Sequence, residues 1–510
     1  MRLEKKQINT ISRPGALRLV WIAAISLFCL SFLISYPDHI LYSLAVACGA
    51  LVSTLIAFRW LWSQQHSWDH ELLSIRPLFQ SIAFIYIILG PLPALWGMDM
   101  AVYNWGSLPY YWILYLLSPL AFLGYEVGYH YGIGNSSGQS FEPNFEGMAS
   151  AARPIGIVAF VLTFSLFIYF SNQYGLTGIG FNVEEISFAG EFQKALTYLF
   201  SGFAILAIVV QVVDLTNKSK LIFKPLNLFI LIIILCIVLL MSSRTRIILF
   251  AITGIAAYQL TRKVSLTRII PVALLLAALL YFGVTTVRQS ALPESQYLHK
   301  PGVSFQQRLN IAKNAFLDPV TKERVERSAF TDLGYRINAI EWPAAILSKH
   351  DEKDIPYMWG EYLVWGLYGM IPNVFISMPK RDTEELAAIH FNMTDVDDQN
   401  ATLFGCGIAD FGPWGVFPSF LIIGFFHAIL WRYSFLRQSS IALKFALFAL
   451  LPELLIFESG LGQTLGMSIR HGIIYFIFIL LVIKFSVKSA SPAKHMKPRF
   501  ILRNSSPPRA

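Results

Sequence analysis

Pro225-Leu-Asn-Leu-Phe-Ile-Leu-Ile-Ile-Ile-Leu-Cys-Ile-Val-Leu-Leu-Met241 is apolar but for Asn227, and Ser242-Ser-Arg-Thr-Arg246 interrupts it. The run resumes as Ile247-Ile-Leu-Phe-Ala-Ile-Thr-Gly-Ile-Ala-Ala-Tyr-Gln-Leu260. A bilayer core of roughly 30 Å takes about 20 apolar residues as a helix, fewer when the helix is short. Two apolar stretches with so small a polar break therefore read as a pair of short spans joined by a hairpin. Working outward, the same pattern recurs near 17–35, 40–62, 77–97, 110–132, 154–172 and 195–214. The hairpin supplies 225–241 and 246–261; 268–287, 413–431, 441–458 and 471–487 follow. The fold expected is an all-α polytopic membrane protein of about twelve transmembrane helices.

Composition points the same way. Hydrophobic residues make up 55% of the 510 residues and charged residues 14%, outside the range of soluble globular chains. Aromatics at 15% suit helix ends anchored at lipid interfaces. Cys29, Cys48 and Cys236 lie in apolar runs and Cys406 stands alone, which supports neither a disulfide framework nor a thiolate metal site.

The net charge of +9 is a topology signal rather than a nucleic-acid patch. With the N-terminus inside, the inner segments collect 24 of the 40 Lys and Arg residues, from Arg2 through Arg76 and Arg153 to the tail after Lys484. The short outer loops hold only Lys194, Arg244, Arg246 and Arg470. By the positive-inside rule both termini are expected in the cytoplasm. The first run, preceded by five basic residues, reads as an uncleaved anchor. The domains expected are 1–287 with nine helices, 288–412 as a large extracytoplasmic loop subdomain, 413–487 with three helices, and 488–510 as a disordered tail. Within the loop, 355–378 is apolar but carries Glu361, Gly366, Gly369 and Pro372, and reads as an interfacial or re-entrant helix.

Polar weight gathers at the outer face. Arg244 and Arg246 sit in the short hairpin, Arg288 follows span nine, and Arg336 lies in Asp332-Leu-Gly-Tyr-Arg-Ile-Asn-Ala-Ile-Glu341. Lys380 and Arg381 follow the interfacial stretch, and Arg470 with His471 opens the last span after the glycine-rich turn Glu458-Ser-Gly-Leu-Gly-Gln-Thr-Leu-Gly466. Guanidinium forks match phosphate oxygens, so such a set reads as an anion site. At a lipid boundary the fitting anion is the phosphate or pyrophosphate of a lipid carrier. Arginines at membrane depth also snorkel or pair with carboxylates, and each one taken singly is open to that reading. Proton acceptors for a transfer reaction are Asp332, Glu341, Glu361, Asp410, Glu458 and His471. Asp395-Val-Asp397-Asp398 reads as a solvated acidic run, and no metal site is expected.

Three motifs carry a family resemblance: the paired short helices around Ser242-Ser-Arg-Thr-Arg246, the loop with Gly369-Met-Ile-Pro-Asn373 and Met378-Pro-Lys380, and Gly407-Ile-Ala-Asp-Phe-Gly-Pro-Trp-Gly415. Together they resemble bacterial oligosaccharide repeat-unit polymerases of the O-antigen polymerase type. The resemblance implies a GT-C-like fold in the inner membrane and a glycosyltransferase working at the periplasmic face without metal or cofactor. Its substrate would be an oligosaccharide on undecaprenyl pyrophosphate, and its product a surface polysaccharide such as O-antigen, capsule or exopolysaccharide. A flippase and a chain-length regulator are the partners it implies. The family's arginine role falls on Arg244, Arg246, Arg288, Arg336, Arg381 and Arg470. Many GT-C enzymes place an acid in the first outer loop; here that loop is only Tyr36-Pro-Asp38-His39 and carries no role. The base therefore stays open among Glu341, Asp410 and His471. Related O-antigen ligases act with a loop histidine, for which His299, His350 and His390 stand, and a lipid-linked substrate transporter is the alternative from another class.

Overall fold

The structure, a computed structural model, describes residues 40–58, 75–95, 108–134, 148–174, 202–211, 229–230, 232–234, 253–255, 337–369, 371, 383–393, 401–436, 440–457 and 459–489. Among these residues 89% are helical and no strand occurs. Two helices, Leu403–Phe435 and Leu461–Phe485, are long and apolar enough to cross a membrane, with mean hydropathy 1.7 and 2.0. The runs at 17–35 and 268–287 lie outside the described residues, as does nearly all of 225–261.

The helices are α1 Ile40–Ala57, α2 Ile75–Phe84 continued by a π-turn at Ile85–Leu89, α3 Leu108–Ile133 and α4 Met148–Tyr174. A short apolar helix α5, Gly202–Gln211, follows. Then come α6 Glu341–Lys353, α7 Glu361–Gly369, α8 Thr383–His390 and α9 Leu403–Phe411. A one-turn 3-10 segment, Gly412–Gly415, joins α9 to α10, Val416–Trp431; α11 Ile441–Leu455 and α12 Leu461–Ser489 complete the order.

The α3–α10 contact is the spine. Gly124, Gly128 and Gly132 recur every fourth residue on α3 and lie against Phe417, Leu421 and Phe425 of α10. Such small-xxx-small spacing lets helix backbones approach closely, the packing used where lipid removes the hydrophobic drive between helices. The increasing residue pairs make the two helices parallel. Tyr42 with Trp112 and Ser53 with Ser118 set α1 parallel to α3 as well. The chain of α2 runs the other way, since Arg76 meets Glu126 while the Ile88 carbonyl accepts from Tyr115. Thus α1, α3 and α10 share a direction and α2 opposes them.

Two deviations position the site. In α2 the π-turn frees the Tyr86 carbonyl, which accepts from the Ala339 amide at 3.1 Å. Gly90 lies directly against the Ile337 carbonyl, leaving no room for a Cβ, so the segment entering α6 docks on the end of α2. Further on, α12 begins at Leu461, nine residues before the Arg470 expected to open it. The glycine-rich turn is helical from Leu461 because Gly366 of α7 and Gly462 of α12 cross there: a Cβ on Gly366 would lie 2.9 Å from the Gln463 amide. Of the interfacial stretch, α7 covers about 14 Å, too short to cross roughly 30 Å of hydrocarbon.

The outer faces are apolar. Ile469, Ile473, Ile477 and Leu480 of α12 recur at helical spacing and are exposed, as are Val161, Phe164 and Ile168 of α4. Contiguous apolar surface on that scale marks a partner or a membrane rather than water.

Candidate functional site

Of the six arginines expected to hold an anion, only Arg470 lies among the described residues; Arg244, Arg246, Arg288, Arg336 and Arg381 lie outside them. So do Asp332, Glu458, His299 and the Asp395–Asp398 run. All three candidate bases are described, and all three are buried, at 5% exposure for Glu341, 3% for Asp410 and 2% for His471. Each belongs to a separate cluster, with different partners.

Glu341 stands in the first turn of α6, where a carboxylate is favoured by the positive end of the helix dipole. Its Oε2 accepts a short hydrogen bond from the Tyr111 hydroxyl at the start of α3. Asn338 donates to the Tyr111 oxygen at 3.1 Å and to Glu341 Oε2 at 3.4 Å, while its own Oδ1 accepts from the Ile340 amide. The cluster ties the loop before α6 to α3.

Asp410 is the last acid of α9 before the Gly412 break. Its Oδ1 accepts from the Tyr362 amide at 2.8 Å and its Oδ2 from the Leu363 amide at 3.0 Å. These are amides of the first turn of α7, which have no partner within that helix, so Asp410 caps α7 from outside. A small pocket of about 40 Å³ opens beside it, lined by Tyr362, Cys406, Phe411, Ser419 and Ile422. Both carboxylate oxygens are already engaged in the cap.

His471 sits in the third turn of α12 with partners on both ring nitrogens. Nδ1 lies 2.6 Å from Glu453 Oε1 of α11, and Nε2 lies 3.1 Å from Arg470 Nη2. Glu453 carries a second oxygen, Oε2, that is buried and meets no hydrogen-bond partner among the described residues. The antiparallel packing of α11 and α12 sets this geometry: Leu450 packs on Gly472 one turn below Glu453. Sequence reading singles out Arg470 and His471 but misses Glu453, which reads as one acid beside Pro452 inside an apolar run. The signal that could have found it is charge within a span, which normally marks a partnered group.

Two other histidines hold a loop. His350 Nδ1 donates to the Ile355 carbonyl at 2.6 Å and its ring stacks on Tyr357 at 4.2 Å. His390 Nε2 donates to the Pro356 carbonyl at 2.7 Å. Burial lifts the Tyr357 phenol above its ordinary value, with the Asp351 carboxylate adding to the shift, so it remains a neutral hydroxyl at pH 7. Among the described residues no group of three His, Cys, Asp or Glu side chains converges as a metal site.

A partly buried ion pair lies at the far end of the bundle. Arg76 Nε and Nη2 reach Glu126 Oε1 and Oε2 at 2.9 and 2.5 Å, Gln80 donates to the same carboxylate, and the guanidinium lies 5.4 Å over the Tyr129 ring. Arg76 therefore closes α2 onto α3 rather than standing in a loop.

No protein-family model, no curated protein and no solved structure matches the chain.

Proposed function

We propose that the chain is a membrane-embedded glycosyltransferase that joins oligosaccharide units carried on a polyprenyl pyrophosphate, with His471 as the base. One observation carries this reading: the Glu453–His471–Arg470 chain, which sets an imidazole between a carboxylate and a guanidinium. From Leu461, Arg470 lies about 14 Å along α12. The stretch beyond it is the apolar run 471–487, so the pair stands at one edge of the expected hydrocarbon layer.

In the reaction proposed, the acceptor sugar hydroxyl gives its proton to His471 Nε2 and its oxygen attacks the anomeric carbon of the donor chain. The bond from that carbon to the carrier pyrophosphate breaks, and the electron pair leaves with the pyrophosphate. Arg470 faces the developing negative charge, in the manner of fixed donors that stabilise a transition state. The arginines at 244, 246, 288, 336 and 381 would complete the clamp. Inner-membrane location, cytoplasmic termini and a periplasmic site belong to the same proposal, supported by the basic residues of the short inner segments.

The test incubates purified protein in nanodiscs with its lipid-linked repeat unit and resolves the products on a glycan gel. A ladder spaced by one unit supports the polymerase. Unchanged substrate overturns it.

A further inference from the structure

We infer that Glu453 is the positioning residue for His471, holding its ring as the Nδ1–H tautomer so that Nε2 is the atom that takes the proton. This deepens the glycosyltransferase reading and rests on it. The chemistry of the two neighbours assigns the tautomer. An ionised carboxylate only accepts hydrogen bonds, so at 2.6 Å from Glu453 Oε1 the Nδ1 atom must carry its hydrogen. A guanidinium only donates, so at 3.1 Å from Arg470 Nη2 the Nε2 atom must present its lone pair. Both neighbours demand the same form of the ring. The packing that delivers Glu453 is close, since the Leu450 side chain lies 2.9 Å from where a Cβ on Gly472 would stand. An orienting carboxylate on one ring nitrogen and a lone pair on the other is the arrangement that makes histidine an effective general base.

Arg470 covers that lone pair in this structure. The guanidinium has to turn to the donor's phosphate before an acceptor hydroxyl takes its place, so the anion clamp and the base act in sequence.

The test uses the full chain in nanodiscs with three variants at one position. Glu453→Gln keeps size but offers an amide that can donate to Nδ1 and invert the tautomer; Glu453→Ala removes the partner; Glu453→Asp keeps the charge. The expected result is a fall in kcat of about 100-fold for Gln and Ala, with KM for the lipid-linked donor within about twofold. Asp recovers at least about tenfold of the loss. Histidine-ring nitrogen-15 spectra, with the His471 signal identified by its loss in His471→Gln, show Nδ1–H in the wild type and a shifted tautomer in Glu453→Gln. Wild-type kcat in Glu453→Gln, or a wild-type His471 protonated on Nε2, overturns the inference. The spectra need no turnover, so the role of Glu453 is tested even in a chain that makes no polymer.

Discussion

Gly128 of α3 lies against the Leu421 carbonyl of α10 so closely that no Cβ fits between them. Gly124 and Gly132 repeat the contact one turn on either side, and Gly424 returns it from α10 against Tyr125. Because α10 leads directly from α9 and its Asp410, the spacing of this crossing sets where the α7 cap stands. Replacing Gly128 with Val forces the helices apart, an overpacking cost of about 1–3 kcal/mol. The expected outcome is a lower thermal midpoint in a fixed detergent, with Gly128→Ala between Val and wild type. A midpoint unchanged in Gly128→Val would show that the crossing does not support the fold.

The Arg76–Glu126 pair makes the second structural prediction. Its side chains are 26% and 12% exposed, so the pair is partly screened, and removing one partner leaves the other charge without its match. Glu126→Gln is expected to destabilise by about 2 kcal/mol, the worth of a hydrogen bond to a charged group. Arg76→Met with Glu126→Leu should recover much of that, and a double-mutant cycle in a denaturant titration reads the coupling. Strictly additive losses sink the pairing.

The helix class is legible in the chain because apolar runs in lipid-length blocks admit few structures. The start of α12 is hidden, since Gly460, Gly462 and Gly466 read as a turn until Gly366 is known to cross there. The Gly124-x3-Gly128-x3-Gly132 spacing is plain in the sequence, but it becomes a packing face only once α10 is known to lie against it. Among the candidate bases, residue type alone does not separate roles. Asp410 faces helix amides and His471 faces a carboxylate, and both partners, Tyr362 and Glu453, come from elsewhere in the chain. That pairing is set by tertiary packing, which no local pattern encodes.

Asp410 caps α7 through both oxygens, so its substitutions should act on stability ahead of chemistry. Asp410→Ala leaves the Tyr362 and Leu363 amides without acceptors and is expected to cost about 1–2 kcal/mol. Asp410→Asn keeps one carbonyl oxygen and should cost less. Measured as thermal midpoint beside turnover of the protein that remains folded, the Asn variant should keep most of its turnover. Loss of turnover with an unchanged midpoint would make Asp410 a base after all.

Asp351 tests the topology. It lies exposed near the end of α6, and the proposal places it outside the cytoplasm. In a background with the four native cysteines replaced, Asp351→Cys should react with a membrane-impermeant maleimide in whole cells whose outer membrane is permeabilised. Replacing the native cysteines matters because Cys48 is itself exposed. Labelling only after the inner membrane is broken would invert the assignment and carry the proposed site to the cytoplasmic face.

Arg470 separates an anion clamp from a simple positive charge. A guanidinium offers two parallel donors to a phosphate, whereas an ammonium is a point charge on a flexible stem. If Arg470 grips pyrophosphate, Arg470→Ala should lower turnover by about 100-fold, the scale of losing one donor to a transition-state oxyanion. Arg470→Lys should recover only part of it. Removing the guanidinium also uncovers His471 Nε2, so His471 should become more reactive toward diethyl pyrocarbonate in Arg470→Ala than in wild type. A wild-type rate in Arg470→Ala removes Arg470 from the reaction. A lowered rate that Arg470→Lys restores in full leaves it a charge without a fork.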